Sequence, residues 1–256
     1  MNLRIGELKG RSRECLIGNY TVLIAAQILI FLIMGICSIP FSQMIQTGIR
    51  QGVSWQILPA LIGMFVVALV ASLFSAGLSQ MHLKLARGQK VKFSDLLYPF
   101  QNHPDKFIGA GVIILLITLA CQLPGSLITG MSGVQLTSAS AGTAFPAGIM
   151  AGMIVMLAGL VVEIVLMLGL SLTMYILLDD PYGVRVFEAM RLSWRLMKGR
   201  KLHLFGLMLS FLGWIVIGIL SFGLGLLWVG QYYEQTICHF YLELRTNVDR
   251  QEQNYD

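Results

Sequence analysis

Charge is scarce in this sequence. Only 12% of its 256 residues are Asp, Glu, Lys or Arg, about half the share found in an ordinary soluble domain. Hydrophobic residues make up 56%, and the mean hydropathy is +0.74. A soluble chain of that composition would carry more apolar surface than it could hide, so a membrane is the solvent that fits. Catalytic signatures are missing as well. There is no His-Glu-x-x-His, no Gly-x-Ser-x-Gly, no Gly-Lys-Ser phosphate loop and no paired-carboxylate motif, which argues against an enzyme and against a cofactor. The 4 cysteines, Cys15, Cys37, Cys121 and Cys238, lack the paired spacing of a metal site or a disulfide framework. They read as separate thiols, with a Cys37–Cys121 bridge as the less favoured alternative. No polar linker divides the chain, so residues 1–256 read as one integral membrane domain.

What is present is a series of apolar runs near the length of about 20 residues that a helix needs to cross the hydrocarbon core. These are Tyr20–Ile39, ended by Pro40; Ile57–Met81; Phe107–Thr129, with a kink expected at Pro124-Gly125; and Ala147–Leu178. The last stretch is long enough for two crossings, Leu204–Phe222 and Leu226–Leu244, with a turn at Gly223-Leu224-Gly225. The reading is an all-α polytopic transmembrane helical bundle of about six spans, with both termini cytoplasmic. At 32 residues, Ala147–Leu178 is too long to cross straight, so a kink near Gly159 or a protrusion is expected. The basic residues that precede the first span resemble a signal peptide, but the run is too long and no Ala-x-Ala site follows, so that span reads as uncleaved.

Lys and Arg set the orientation, because short cytoplasmic loops are enriched in them. Six spans place Arg4, Lys9, Arg11 and Arg13 inside, then Lys84 to Lys106, then Arg185 to Lys201, then Arg245 and Arg250. Of the 18 basic residues only Arg50 falls outside. The net charge of +5 is then a property of the cytoplasmic face and calls for no nucleic acid.

Polar residues inside the spans are the candidate site. Glu163 stands alone in a long uncharged run, where an ionisable residue is costly and turns toward the bundle interior or water. It serves either as a helix-association group, bonded to Gln27, Gln80, Gln122 or Gln231, or as a proton or cation site in a transport path. Gln231, Glu234, Gln235 and His239 form one stripe on the last helix. That stripe is a structural seam, a cavity lining, or the polar face of an interfacial helix with Trp228, Tyr232, Tyr233, Phe240 and Tyr241 as an aromatic belt. Ala68, Ser72 and Ala76, and Gly148 and Gly152, are small residues at four-residue spacing and mark close packing faces. On the second inner loop, Phe187, Met190, Trp194 and Met197 form a stripe beside Arg191, Arg195, Lys198, Arg200 and Lys201. A basic amphipathic helix of this kind is a topology anchor or a contact for anionic lipid headgroups.

Ala189, Ser193, Met197, Lys198, Gly199 and Lys201, then Ser210, Phe211, Gly213 and Trp214, then Phe240 and Tyr241, carry a resemblance. With FSDLLYPF at Phe93–Phe100, they are similar to the bacterial integral-membrane family catalogued as domain of unknown function nine-seven-five. Where that family usually has Pro-Tyr, this chain has Gln231-Tyr232. The resemblance implies a multi-span membrane protein and assigns no catalytic residue. The expected role is an accessory or scaffolding component of the cell membrane, touching the lipid bilayer and a membrane-protein partner or a second copy. A small secondary transporter built on Glu163 and the last helix is the alternative.

Overall fold

The computed structural model describes residues 5–52, 54–138, 147–180 and 183–253. Arg4 and the side chain of Arg250, which entered the sequence reading, lie outside the described residues. Among the described residues every regular element is helical. The long helices are α2 (Tyr20–Gln51), α3 (Ile57–Ala86), α5 (Pro104–Ser138), α6 (Ala147–Leu170) and α11 (Gly225–Gln253). Shorter ones connect or extend them: α1 (Ile5–Leu16), α4 (Tyr98–Gln101), α7 (Thr173–Asp179), α8 (Val186–Leu196), α9 (Lys201–Leu209) and α10 (Leu212–Leu220).

Five helical stretches are long and apolar enough to cross a membrane: Tyr20–Gln51, Ile57–Ala86, Pro104–Gly130, Gly148–Asp179 and Lys201–Leu220. Only 11–22% of each apolar window is buried inside the protein. The chain exposes 15274 Å², whereas a folded soluble chain of this mass exposes roughly 11,000 Å². The apolar faces of the spans contribute to that excess, including Ile36 and Ile39 on α2, Leu61 and Ile62 on α3, and Ile154 and Leu157 on α6. Lipid contact satisfies such faces where water cannot.

The core gathers at one end of the bundle. Leu8, Leu16, Leu23, Met81, Phe107, Ile176, Phe240 and Tyr241 are all fully buried, or nearly so. They come from the start of α2 and α5, the end of α3, and α1, α7 and α11. α11 packs against α1, α2, α3 and α10. Its mixed composition follows from this position, since a helix enclosed by protein need not be apolar all round. The aromatic belt does not form: Tyr232, Phe240 and Tyr241 are buried in the core.

Three boundaries differ from expectation. α2 does not stop at Pro40 but runs on to Gln51, as helices in an apolar setting tolerate an internal proline; next to it the hydroxyls of Ser38 and Ser42 donate to the Gly35 and Ile39 carbonyls of the same helix. The long fourth stretch breaks at Ser171-Leu172 and not at Gly159. There the Ser193 hydroxyl of α8 donates to the Gly169 carbonyl at 2.8 Å and accepts from the Leu172 amide at 3.3 Å, so it satisfies two of the backbone groups at the break. Gly159 instead lies against α5, where an added Cβ would meet the Cys121 carbonyl oxygen at 2.1 Å. The fifth stretch breaks at Ser210-Phe211, and Lys9 of α1 reaches that break, donating to the Ser210 carbonyl at 3.0 Å with its ammonium 4.2 Å from the Phe211 ring centre. Each broken span is thus pinned by a side chain of a short amphipathic helix.

The small-residue faces are used. Gly152 meets Thr129 of α5, Ser72 meets Gly111 of α5, and Ala76 is buried. The turn at Gly223 forms as expected, with φ of 83° and α11 beginning at Gly225. FSDLLYPF folds back on α3: Asp95 accepts from the Lys92 amide at 2.8 Å and pairs with Lys84 at 2.6 Å, while the Leu96 carbonyl presses on Gly77.

Candidate functional site in the polar seams

The stripe on α11 faces α3 and α7. Gln235 Oε1 lies 2.8 Å from His82 Nδ1, and its amide nitrogen lies 3.4 Å from the His82 carbonyl and 3.5 Å from His239 Nε2. This fixes the Gln235 amide, with Nδ1–H of His82 donating to it. His82 Nε2 lies 3.0 Å from the side-chain amide of Gln231. A neutral ring accepts there, so the Gln231 amide turns its NH2 toward it, an assignment that rests on the network rather than on visible hydrogens. His82, Gln231 and Gln235 are buried. One turn away, the Tyr175 hydroxyl of α7 donates to Glu234 Oε2 at 3.1 Å. These bonds tie α3, α7 and α11 together where hydrocarbon-facing residues could not.

Below the seam, Asp179 closes the end of the bundle. Its carboxylate pairs with Arg87 at the end of α3 and with Arg245 of α11, and accepts from the Tyr241 hydroxyl at 2.7 Å. The Asp179 side chain is 7% exposed, while the two arginines are 40% and 43% exposed. The carboxylate is therefore the desolvated partner, held by three donors from two helices.

Glu163 is elsewhere. Of the four glutamines offered as partners, Gln122 of α5 is the one it meets, its amide donating to Glu163 Oε2 at 2.7 Å. Glu163 also lines a cavity of about 440 Å³ with Ile114, Met167, Ser171, Met208 and Tyr233. A second cavity of about 410 Å³ lies between α2, α3 and α11, where Gln27, Ser75, Ser79, Gln231 and Glu234 supply its polar groups. Tyr233 lines both cavities. The hydrogen bonds of Glu163 and those of the α11 stripe do not join; the two cavities meet at this one ring.

On α8 the expected stripe divides. Met190 and Met197 are buried together with Ala189 and Ser193, whereas Phe187 is 73% and Trp194 39% exposed. The buried set keeps Met190 and Met197 of the predicted stripe and adds Ala189 and Ser193, because α8 docks on α5, α6 and α7 through its small and sulfur-bearing residues. Arg191, Arg195 and Lys198 are exposed beside Phe187 and Trp194, and Arg200 and Lys201 are half-buried. Lys201 places its ammonium 3.3 Å from the centre of the Trp194 ring, a cation–π contact.

His82, Tyr175, Asp179, Arg87 and Arg245 carry these seams, and none stood out in the sequence. His82 lies 149 and 153 residues from its two glutamine partners. No local spacing marks such a contact. A carboxylate at the end of an apolar run was the one available signal for Asp179.

No curated protein and no solved structure matches the chain. The family described as protein of unknown function (DUF975) matches residues 3–248. Ala189, Ser193 and Met197, which carried the resemblance, form the buried face by which α8 docks. With nearly its whole length matched, the chain belongs to the DUF975 family.

Proposed function

We propose that the protein is a six-crossing component of the cell membrane with both tails in the cytoplasm, and that it acts as an accessory or scaffolding element holding lipids and partner helices. The carrying observation is how little of the apolar windows the chain buries within itself, no more than 22% in any of the five. A bundle that packs tightly at one end and opens along the rest presents long apolar faces to lipid or to other helices. α11 is the sixth crossing; its enclosure by four other helices supports this despite its polar residues. The Lys and Arg distribution supports the orientation. Purification in mild detergent with cross-linking tests the reading. A partner membrane protein or a second copy should follow the chain in fixed ratio, and a lone chain with no fixed partner would count against it.

A small transporter is the second reading, favoured by the two cavities that meet at Tyr233 with Glu163 on one side and Glu234 on the other. Proton flux into proteoliposomes separates the two. A transporter should lose flux on Glu163→Gln, whereas a scaffold carries none and keeps its complexes with that substitution.

A further inference from the structure

Between α6 and α9 runs a groove of about 500 Å³, within the size range of ligand sites. Val161, Val165, Leu168, Leu202 and Phe205 form its walls, and Lys201 is the one polar residue that lines it. Leu202 is 84% and Val161 62% exposed, so the groove lies open along its length. Its cationic end is a constructed feature. Gly199, with φ of 77°, turns the chain back between α8 and α9, a conformation that favours glycine. Gly169 on α6 leaves room for the Trp194 ring, which a Cβ there would meet at 2.2 Å. Lys201 then rests on that ring at the head of the groove.

Among the described residues no carboxylate pairs with this end. From Ala189 to Tyr233 there is no Asp or Glu. Among the described residues Arg191, Arg195, Lys198, Arg200 and Lys201 make no salt bridge. A groove that is apolar along its walls and cationic at its head suits an amphiphile with an acyl body and a negatively charged head.

We propose that this groove binds one anionic phospholipid, with its acyl chain against Val161 to Leu168 and its headgroup at Lys201. The inference rests on the membrane-embedded reading above and adds a ligand class and a place. The diffuse attraction of exposed Arg191 and Arg195 for an anionic surface is a separate effect.

Native mass spectrometry of the full chain in mild detergent tests it, using phosphatidylglycerol and phosphatidylcholine with identical acyl chains. One phosphatidylglycerol per chain should be retained under activation that strips phosphatidylcholine. Lys201→Gln should remove that preference, a drop of about fivefold for the loss of one interfacial cation, while Lys201→Arg should keep it. Val165→Trp, which fills the groove, should lower retention of both lipids. The double variant Arg191→Gln, Arg195→Gln should weaken sedimentation with phosphatidylglycerol vesicles and leave the retained lipid in place. Equal retention of the two lipids, no change in Lys201→Gln, displacement by inorganic phosphate alone, or a protein chain occupying the groove would each overturn the proposal. If the groove fails while the chain still requires detergent and keeps its orientation, the membrane reading stands without it.

Discussion

The Asp179 clamp yields a sharp prediction because its members are unequally exposed. Asp179→Asn keeps the shape and removes the charge. Arg87 and Arg245, each about two-fifths exposed, then turn to water, and the loss is that of charge-assisted hydrogen bonds, about 1.5–3 kcal/mol. The double variant Arg87→Met, Arg245→Met does the reverse. It leaves a carboxylate that is 7% exposed with only the Tyr241 hydroxyl, and an uncompensated buried charge costs about 3–5 kcal/mol. Adding Asp179→Asn to the double variant removes that charge and should recover part of the loss. At roughly 2–4 °C per kcal/mol for a chain of this size, circular dichroism melting in mild detergent resolves the three variants. The expected order of stability is the natural chain, Asp179→Asn, the triple variant, and last the double variant. A double variant at least as stable as Asp179→Asn, or no recovery in the triple, would refute the reasoning that burial falls on the carboxylate.

Other outcomes follow from the packing. Gly159→Ala should destabilise by about 1–3 kcal/mol, because the new Cβ meets a backbone carbonyl that cannot swing aside. Gly35→Ala, with nothing within 4 Å, should stabilise by roughly 0.5–1 kcal/mol through helix propensity; melting temperatures that move the same way in both variants would contradict the contact. Ser193→Ala leaves the Gly169 carbonyl and the Leu172 amide without their partner and should cost about 1–3 kcal/mol; a neutral melting temperature would mean that the break does not depend on α8. Single cysteines placed at Lys90 and Arg195 in a cysteine-free background should resist membrane-impermeant maleimide in intact cells and react after lysis. Labelling from outside would invert the topology.

The spans were legible because lipid imposes a simple demand, a run of apolar residues about one bilayer long. Their ends were less so. Pro40 ordinarily stops a helix, but α2 continues through it to Gln51, as an apolar helix tolerates. The break at Ser171 depends on a serine 22 positions further along, which becomes its partner only when α8 folds back. Glu163 was marked as needing a polar partner, and Gln122 was among the candidates; choosing between four glutamines required the pairing of α5 with α6. On α8 the spacing grouped Met190 and Met197 with Phe187 and Trp194 in one apolar stripe, but only the two methionines are buried, since the partner's shape and not hydropathy separates neighbouring positions on a helix. His82 was invisible for the same reason as Asp179: its meaning lies in side chains from a distant helix.

α11 packs against α1, α2, α3 and α10 and follows all of them in the chain. A ribosome has therefore delivered these four helices to the membrane before the one they share exists. Until α11 arrives, His82 has no glutamines, Asp179 lacks Arg245, and α1 keeps its contact with α3 but lacks the one with α11. The hairpins of α2 with α3 and of α5 with α6 can insert one after another, but the shared core closes only late, through contacts across most of the sequence. A synthesis interrupted before residue 225 would leave His82 without its glutamines and Asp179 with Arg87 as its one charged partner, a mark for quality-control proteases.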